Sequence, residues 1–351
     1  MKNILVDLYK IKDLYSGLGQ FSFAYAKELQ KQVSNTTKLR FLVPPGSDFT
    51  TVGENTKNIK TSILKKYCPL LYGKQDVWHS LQQFPSFLPR KNTTHILTIH
   101  DLNFLVEKSE TKKKKYLRRL QKNIDRADFI TAISEYTKAQ IKQSLDLKGK
   151  EITVIYNGID NNQQLVKAKP DFMGSEKFFF SIGIFNEKKN FKCLVPLMKH
   201  FPDYTLVVSG NNDTAYGKSM QKEIQRQGLE SQIILSGKVN PQEKKWLYSH
   251  CEAFLFPSLA EGFGMPVIEA MKEGRPVFIS NKTSLPEIGG HMAFYLENFN
   301  AENMAGTIRS GLEVVSENKT KFVQDSRTYA QKFNWETCVS EYLKVYQKAT
   351  E

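Results

Sequence analysis

Apolar segments of four or five residues alternate along this chain with longer segments whose apolar positions recur every three or four residues. The runs Phe178 to Ile182 and Ala253 to Phe256 are apolar almost throughout, which is typical of strands buried on both faces of a sheet. This alternation predicts an α/β fold with parallel sheets and crossover helices. The predicted strands are 3–7, 39–43, 77–79, 96–100, 129–132, 152–156, 178–182, 205–209, 233–236, 253–256 and 276–279; the predicted helices are 20–32, 112–126, 135–144, 190–200, 219–227, 241–249 and 265–273.

The pattern is interrupted once, in the polar stretch 157–173. Asn157-Gly158 is a turn signal, Pro170 follows, and no apolar run there is long enough for a core. The 351 residues also exceed the roughly 250 to 300 that one core supports. We therefore predict a first domain over residues 1–165 and a second over 170–330, with helical structure from Asn300 to the end.

Two carboxylates lie eight residues apart in the string Glu261-Gly-Phe-Gly-Met-Pro-Val-Ile-Glu269. The string follows a predicted strand and enters a helix with Pro266 in its first turn, where a missing N–H costs nothing. We expect both acids at one crevice at the end of the sheet, one holding sugar hydroxyls and the other a ribose, with helix amides facing an anion. The alternative is that Glu261 is a surface loop acid and Glu269 a solvated helix residue.

This string resembles the signature of the retaining glycosyltransferases of family four, which have the GT-B fold. The resemblance implies two Rossmann-like domains that face each other across a donor-binding cleft. The first would bind the acceptor and the second a nucleotide-sugar donor, and a final helix over 335–351 would pack back on the first. Donor contacts are implied for Gly262, Phe263, Gly264, Met265 and Glu269.

Gly17-Leu-Gly19 precedes the first predicted helix, where glycines would allow the backbone to approach a diphosphate. It is a poor dinucleotide fingerprint, because Ser22 replaces the third glycine and about ten residues separate it from the strand, which disfavours a dehydrogenase. The string resembles the glycine loop of family four, and that resemblance implies that Gly17 and Gly19 contact the donor phosphates.

His100-Asp101 ends a predicted apolar strand. A lone histidine is more often a structural residue than a catalytic one. The pair is similar to the His-Asp at the same strand end in many family members. This likeness implies that His100 positions the donor sugar and that Asp101 orients the loop.

The string from Gly183 to Asn190 joins the first strand and helix of the second domain and carries Lys188 and Lys189. Lysines at a helix start oppose the helix dipole, so an anion such as a diphosphate should compensate them. The string resembles the family element G-R-x-x-x-x-K-N, which implies that Lys189 clamps the leaving group. The arginine position holds Ile184, and whether Lys188 replaces that arginine or is a solvated lysine is open. Backbone near Val239 is expected to contact the base.

Charge is concentrated in the first half of the chain. The net charge is +14, and residues 1–160 hold 27 Lys and Arg against 15 Asp and Glu. The densest group is Lys112, Lys113, Lys114, Lys115, Arg118 and Arg119. It is a solvated helix face, or it binds an anionic membrane surface or nucleic acid. We favour the membrane, with a lipid-linked acceptor, because no nucleic-acid recognition motif accompanies the charge.

The remaining composition agrees with a globular enzyme, and we expect it to need no cofactor. No apolar run could span a bilayer, and residues 3–7 form a strand rather than a leader, so we expect a cytoplasmic protein, peripheral on the membrane. The four cysteines form no C-x-x-C pair, which favours reduced thiols over a disulfide framework or a metal site. No two acids are separated by a single residue, so we expect no metal clamp and expect Lys189 to neutralise the diphosphate.

Our leading hypothesis is a retaining glycosyltransferase that moves a sugar from a nucleotide-sugar to a glycan acceptor in bacterial surface polysaccharide or lipopolysaccharide biosynthesis. His100, Glu261 and Lys189 would carry the catalytic step. GDP-mannose is favoured, because the Lys188-Lys189-Asn190 variant resembles that of several mannosyltransferases, and UDP-sugars stay open. Alternatives are an epimerase or phosphorylase of the same fold, or a non-catalytic protein that binds nucleotide-sugar or membrane. No motif indicates the acceptor, the linkage or the oligomeric state.

Overall fold

The computed structural model describes residues 2–14, 16–159, 165–174 and 177–351. The chain divides into two compact units. Unit 1 comprises Met1–Asp160 with Phe333–Glu351, and unit 2 comprises Asn161–Lys332.

The described part of unit 1 contains a seven-stranded sheet in the order β3-β2-β1-β4-β5-β6-β7, with every pairing parallel. Its strands are β1 Lys2–Asp7, β2 Thr37–Val43, β3 Thr56–Lys60, β4 Val77–Ser80, β5 Thr94–Ile99, β6 Phe129–Ala132 and β7 Ile152–Val154. Its helices are α1 Gly17–Gln32, α2 Ile63–Tyr67, α3 Phe104–Glu107, α4 Glu110–Arg126 and α5 Glu135–Ser144, with 3-10 turns at Tyr9–Lys12 and Pro69–Tyr72. The chain's last helix, Trp335–Lys348, also belongs to this unit.

That last helix is attached to unit 1 by a buried hydrogen-bond network as well as by apolar packing. The Tyr346 hydroxyl lies 2.7 Å from the Tyr25 hydroxyl of α1 and 2.7 Å from His79 Nδ1 of β4. His79 Nε2 lies 2.7 Å from Thr98 Oγ1 of β5. Burial holds the pKa of His79 well below its usual value, so the imidazole is neutral.

The described part of unit 2 contains a six-stranded parallel sheet in the order β10-β9-β8-β11-β12-β13. Its strands are β8 Phe178–Ile182, β9 Thr205–Ser209, β10 Ile233–Gly237, β11 Ala253–Phe256, β12 Val277–Ser280 and β13 Ala293–Leu296. Its helices are α6 Leu194–Leu197, α7 Ala215–Gln227, α8 Pro241–His250, α9 Met265–Lys272, α10 Leu285–Gly289, α11 Ala301–Glu317 and α12 Lys319–Ala330. The last helix of unit 1, Trp335–Lys348, is therefore α13.

The helix predicted over 190–200 is wrong. The chain instead forms short 3-10 turns, Glu187–Lys189, Phe191–Cys193 and Met198–His200, around the single α-turn of α6. Asn190 has a left-handed backbone with φ of 55°, and Pro196 has no N–H for an intrahelical hydrogen bond, so no long helix can form. The edge strands β3 and β13 were not predicted, because each is short and only partly buried.

No helix in the described ranges is both long enough and apolar enough to cross a membrane.

Candidate functional site

The central candidate site lies where the strand order of unit 2 reverses. β8 and β11 are neighbours in the sheet, with β9 and β10 on one side and β12 and β13 on the other. Loops that follow two such strands diverge and leave a crevice, which is where open α/β sheets bind ligands. The loop after β8 carries Gly183 to Lys189, and the loop after β11 carries Glu261 to Gly264.

An ion pair joins these two loops. Lys189 Nζ lies 2.6 Å from Glu261 Oε1, and the two side chains are only 11% and 13% exposed. The same ammonium lies 4.5 Å from the centre of the Phe256 ring at the end of β11. At the switch point, Lys189 and Glu261 therefore compensate each other's charge.

Local hydrogen bonds fix both partners of this pair. The Asn186 side chain caps the turn Glu187–Lys189 by accepting from the Lys189 N–H at 3.2 Å. The Glu261 N–H donates to Thr283 Oγ1 at 3.0 Å, and Ser284 Oγ donates to the Glu261 carbonyl at 3.1 Å. The loop after β12 thereby holds the loop after β11 in place.

Two glycines beside the pair have no room for a side chain, Gly183 because of the Lys189 side chain and Gly210 because of neighbouring backbone. A Cβ on Gly183 would lie 2.9 Å from Lys189 Cε, and a Cβ on Gly210 would lie 1.9 Å from the Gly183 carbonyl oxygen. Gly210 also has φ of 128°, which favours glycine. These two positions leave space for the Lys189 side chain to reach Glu261.

Glu269, the second acid of the string, is held by α8. Lys244 Nζ lies 2.7 Å from its Oε1, and the Tyr248 hydroxyl donates to its Oε2 at 2.8 Å. Burial, and then the neighbouring Glu269, raises the pKa of Tyr248 well above its usual value, so the hydroxyl keeps its proton. The alternative of a freely solvated Glu269 is wrong, since its carboxylate is bonded on both oxygens.

The residues between the two acids of the string are mostly buried. Gly262, Phe263 and Gly264 are buried, and Met265 begins α9. Gly264 has φ of 110°, and a Cβ there would lie 2.7 Å from Leu285 Cδ2. A side chain at this position is therefore excluded twice, by strain and by contact.

Three further predicted residues lie in loops at this edge of the sheet: Lys188 and Ile184 after β8, and Val239 after β10. The Lys188 carbonyl accepts from the Leu259 N–H at 2.6 Å, which adds a second link between the two loops. Ile184, at the position of the family arginine, is 48% exposed. Val239 is half-buried in the loop between β10 and α8.

Gly17 and Gly19 of unit 1 lie in the first turn of α1 rather than in the loop before it, which corrects the predicted helix start. Ser16 Oγ caps this helix by accepting from the Gly19 N–H at 3.1 Å. A Cβ on Gly19 would lie 1.9 Å from the Asp13 carbonyl oxygen. Gly19 therefore permits close packing of the preceding turn, which by itself explains its identity.

His100 follows β5 and is buried. Its Nε2–H donates to the Leu81 carbonyl at 2.8 Å, and its ring meets the Phe21 ring edge-on with centroids 4.7 Å apart. Burial lowers the pKa of His100 to about 4, although the bond to Leu81 acts in the opposite direction. The imidazole is therefore neutral at pH 7, with Nδ1 as its hydrogen-bond acceptor.

The basic residues of α4 lie mainly on its exposed side. Lys112, Lys114, Lys115, Arg118 and Arg119 are exposed, whereas Lys113 is half-buried and its Nζ lies 2.6 Å from Glu110 Oε1. Tyr116, Leu117 and Leu120 pack inward against the core, so they are not interleaved with the charges on the surface.

Lys244 contacts Glu269 but was not predicted from the sequence as a site residue. Its signal is the spacing of four residues to Tyr248, which places both on one face of α8. Thr283 and Ser284 follow β12, but their hydrogen bonds to the Glu261 loop could not be inferred from sequence. Within the described ranges, no cluster of three His, Cys, Asp or Glu side chains could hold a metal ion.

Two family models match consecutive parts of this chain. Glycosyl transferases group 1 matches residues 162–331, and Glycosyltransferase Family 4 matches residues 60–163. With its two parallel α/β sheets and its likeness to solved glycosyltransferase structures, the protein has the GT-B fold. It belongs to glycosyltransferase family 4, as the string from Glu261 to Glu269 predicted, and the predicted fold class and transferase class are confirmed.

Individual proteins are similar over most of the chain. The O-antigen chain mannosyltransferase RfbU of Salmonella typhimurium is 25% identical over 328 residues, which are 88% of this chain and 90% of that protein. Sucrose-phosphate synthase from Thermosynechococcus elongatus has the same fold, with a TM-score of 0.79 at 18% identity over 99% of both chains. Anabaena HepE in complex with UDP-glucose also shares the fold, with a TM-score of 0.75 at 18% identity, covering 99% of this chain and all of that one.

Proposed function

We propose that this protein transfers mannose from GDP-mannose to a glycan acceptor, with retention of configuration, during assembly of a bacterial surface polysaccharide. The ion pair between Lys189 and Glu261 at the switch point of unit 2 is the observation that carries this proposal. RfbU, an O-antigen chain mannosyltransferase similar over 90% of its length, supports the sugar and the pathway class. The resemblance of the Lys188-Lys189-Asn190 variant to that of several mannosyltransferases also favours GDP-mannose.

The donor diphosphate takes over Lys189 from Glu261. An ammonium on a glycine-lined loop neutralises phosphate charge without a metal ion, and Lys188 and the backbone of Gly262 to Met265 at the start of α9 add to this. Glu261, once released, accepts hydrogen bonds from the sugar hydroxyls. In this exchange Lys189 gains an anionic partner, and hydrogen bonds from the sugar hydroxyls stabilise the Glu261 carboxylate in place of the ammonium.

Glu269 receives the ribose hydroxyls. Its two oxygens are already held by Lys244 and Tyr248, so the carboxylate is fixed in orientation and offers its remaining lone pairs. Backbone near Val239 contacts the base. The roles of Gly17, Gly19 and His100 in contacting donor phosphates and sugar stay predictions from the family resemblance.

In the transfer step, the bond between the anomeric carbon and the leaving phosphate oxygen breaks while the acceptor oxygen bonds to that carbon on the same face. The acceptor hydroxyl proton passes to the departing phosphate. Lys189 stabilises the charge that develops on that phosphate. No protein nucleophile is required.

We assign the exposed basic residues of α4 to an anionic membrane surface, which would bring a lipid-linked acceptor to the enzyme. Each basic residue near such a surface contributes about 1 kcal/mol. The solvated-face alternative predicts that exchanging Lys114 and Lys115 for glutamine leaves vesicle binding unchanged.

A UDP-sugar is the second candidate donor, supported by the shared fold of HepE with UDP-glucose bound. Purified protein is incubated in EDTA with GDP-mannose or UDP-sugars and a mannosylated acceptor, and the product linkage is determined by NMR. The proposal expects GDP release and an α-mannosidic product. A β-linkage excludes retention, and turnover with UDP-sugars alone excludes the mannosyl assignment.

The same incubation distinguishes the remaining alternatives. An epimerase converts the nucleotide-sugar without an acceptor, a phosphorylase requires inorganic phosphate, and a non-catalytic protein binds the donor without turnover. Lys218→Met is a matched control for Lys189→Met, because Lys218 belongs to the same unit but is 72% exposed.

A further inference from the structure

The connection between β3 and β4 exposes an unusual concentration of large apolar side chains. Five of them lie within nine residues: Ile63, Leu64, Tyr67, Leu70 and Leu71, which are 79%, 74%, 77%, 62% and 53% exposed. Helix α2, which supplies the first three, has no buried residue. We call residues 60–74 the β3–β4 segment.

Other exposed apolar residues in the described chain are scattered. Val52, Val106, Val166 and Val314, for example, lie far apart in sequence. Single exposed apolar residues are normal on a soluble protein, whereas a contiguous group indicates an interaction site. The β3–β4 segment is such a group.

Contacts with the rest of unit 1 and hydrogen bonds within the segment hold its backbone in place, so its apolar side chains are not exposed through local unfolding. Tyr72 is buried, with its ring centroid 5.1 Å from that of Trp78 in an edge-on arrangement. Ser62 Oγ caps α2 by accepting from the Lys65 N–H at 3.2 Å, and Lys65 Nζ donates to the Lys60 carbonyl at 2.9 Å. The fold therefore holds a short amphipathic element with its apolar side chains in solvent.

The charges of the segment complement an anionic surface. Residues 57–75 contain Lys57, Lys60, Lys65, Lys66 and Lys74 and no Asp or Glu. Protein interfaces are depleted in lysine at their apolar centre. A lipid interface accepts lysine among apolar residues, because the ammonium reaches the headgroups while the apolar side chains enter the acyl boundary.

We propose that the β3–β4 segment inserts its apolar side chains into the interface of an anionic bilayer. This differs from the role of α4, because exposed charge alone attracts a membrane but does not enter it. The insertion rests on no step of the sugar-transfer reaction, so it is tested without donor or acceptor.

Binding of the full chain to vesicles of phosphatidylcholine with 30% phosphatidylglycerol is measured by flotation. Leu64→Gln with Leu70→Gln lowers the partition coefficient by about tenfold or more, because two apolar side chains no longer enter the interface. Lys65→Gln with Lys66→Gln lowers it by roughly fivefold per charge at low salt. Val314→Gln, an exposed apolar residue of α11, leaves it unchanged.

Insertion depth is read from a Leu64→Trp variant. Insertion predicts a blue shift of its fluorescence on anionic vesicles and quenching by brominated acyl chains. The proposal is overturned if the Leu64→Gln, Leu70→Gln protein partitions within twofold of the wild type, or if the added tryptophan is not quenched. It is also overturned if the wild type is a dimer that these substitutions make monomeric while vesicle binding persists.

A thermal shift with GDP-mannose accompanies every variant. Loss of vesicle binding with an intact donor shift supports insertion whether or not the proposed donor is correct. If GDP-mannose does not raise the melting temperature of the wild type, this result counts against the proposed function alone and does not affect the vesicle result.

Discussion

Removing the charge from either partner of the Lys189–Glu261 pair should destabilise unit 2 when no donor is bound. The side chains are 11% and 13% exposed, and the charged atoms lie 2.6 Å apart. Glu261→Gln leaves an ammonium, and Lys189→Met a carboxylate, with little solvent and no counter-charge. Breaking a buried pair in this way costs about 3–5 kcal/mol of unfolding free energy.

The double variant Lys189→Met, Glu261→Gln should be less destabilised than the sum of the two single variants. Neither residue is then charged, so the penalty for an unpaired buried charge disappears. The coupling energy of residues in direct contact is about 0.5–3 kcal/mol, and we expect the upper part of that range here. The pair is therefore identified by its non-additivity rather than by the size of either single effect.

Hydrogen exchange of the β8 and β11 amides, followed by mass spectrometry, is the appropriate assay, since it reports the opening free energy of unit 2 directly. The same cycle on Lys218 and Asp213, whose side chains are 72% and 82% exposed, serves as control and should show no measurable coupling. Additive effects of Lys189→Met and Glu261→Gln would refute the closed ion pair, and with it the exchange of partners that we propose for donor binding.

Three further predictions concern stability. Burial raises the pKa of Asp7 to about 7, above its value in the unfolded chain, so the free energy of unfolding falls as pH rises from about 4 to 7. Asp7→Asn should remove that slope and be roughly 4 kcal/mol more stable by pH 8, relative to its difference from the wild type at low pH. A pH-independent difference between the two proteins in urea unfolding would contradict this. Tyr346→Phe removes the hydrogen-bond partner of the buried Tyr25 hydroxyl and of His79 Nδ1 and should cost about 1–3 kcal/mol of unfolding free energy, which an unchanged urea midpoint would disprove. Gly210→Ala forces a Cβ against the Gly183 carbonyl oxygen and should lower the melting temperature of unit 2. Gly306→Ala on α11 should not lower it, because nothing lies within 4 Å of a Cβ there. Equal effects of the two substitutions would show that crowding is not the cause.

The central strands were predicted well from the sequence, because a strand buried on both faces of a sheet consists almost entirely of apolar residues. Phe178 to Ile182 and Ala253 to Phe256 are strands with the predicted bounds, since apolar runs of this length are most stable between two covered faces. Pro266 correctly marked the start of α9. Edge strands such as β13 carry no such signal, because only part of their surface is buried.

The contacts of the site were less predictable than its location. Parallel strands place their following loops at one edge, so the sequence indicated which loops matter. Lys189 and Glu261 are 72 residues apart, however, and no local rule pairs side chains at that separation. The lysines after β8 were expected to need an external anion, whereas the fold itself provides Glu261 as the partner of Lys189.

The central claim is that Lys189 takes the donor diphosphate in place of Glu261. Calorimetric titration of GDP-mannose in EDTA compares the wild type with Lys189→Met and Lys218→Met. The account predicts metal-free binding that Lys189→Met weakens by about 10- to 100-fold, as expected for loss of a charged hydrogen bond, and that Lys218→Met leaves intact. Equal affinity of the wild type and Lys189→Met would contradict it.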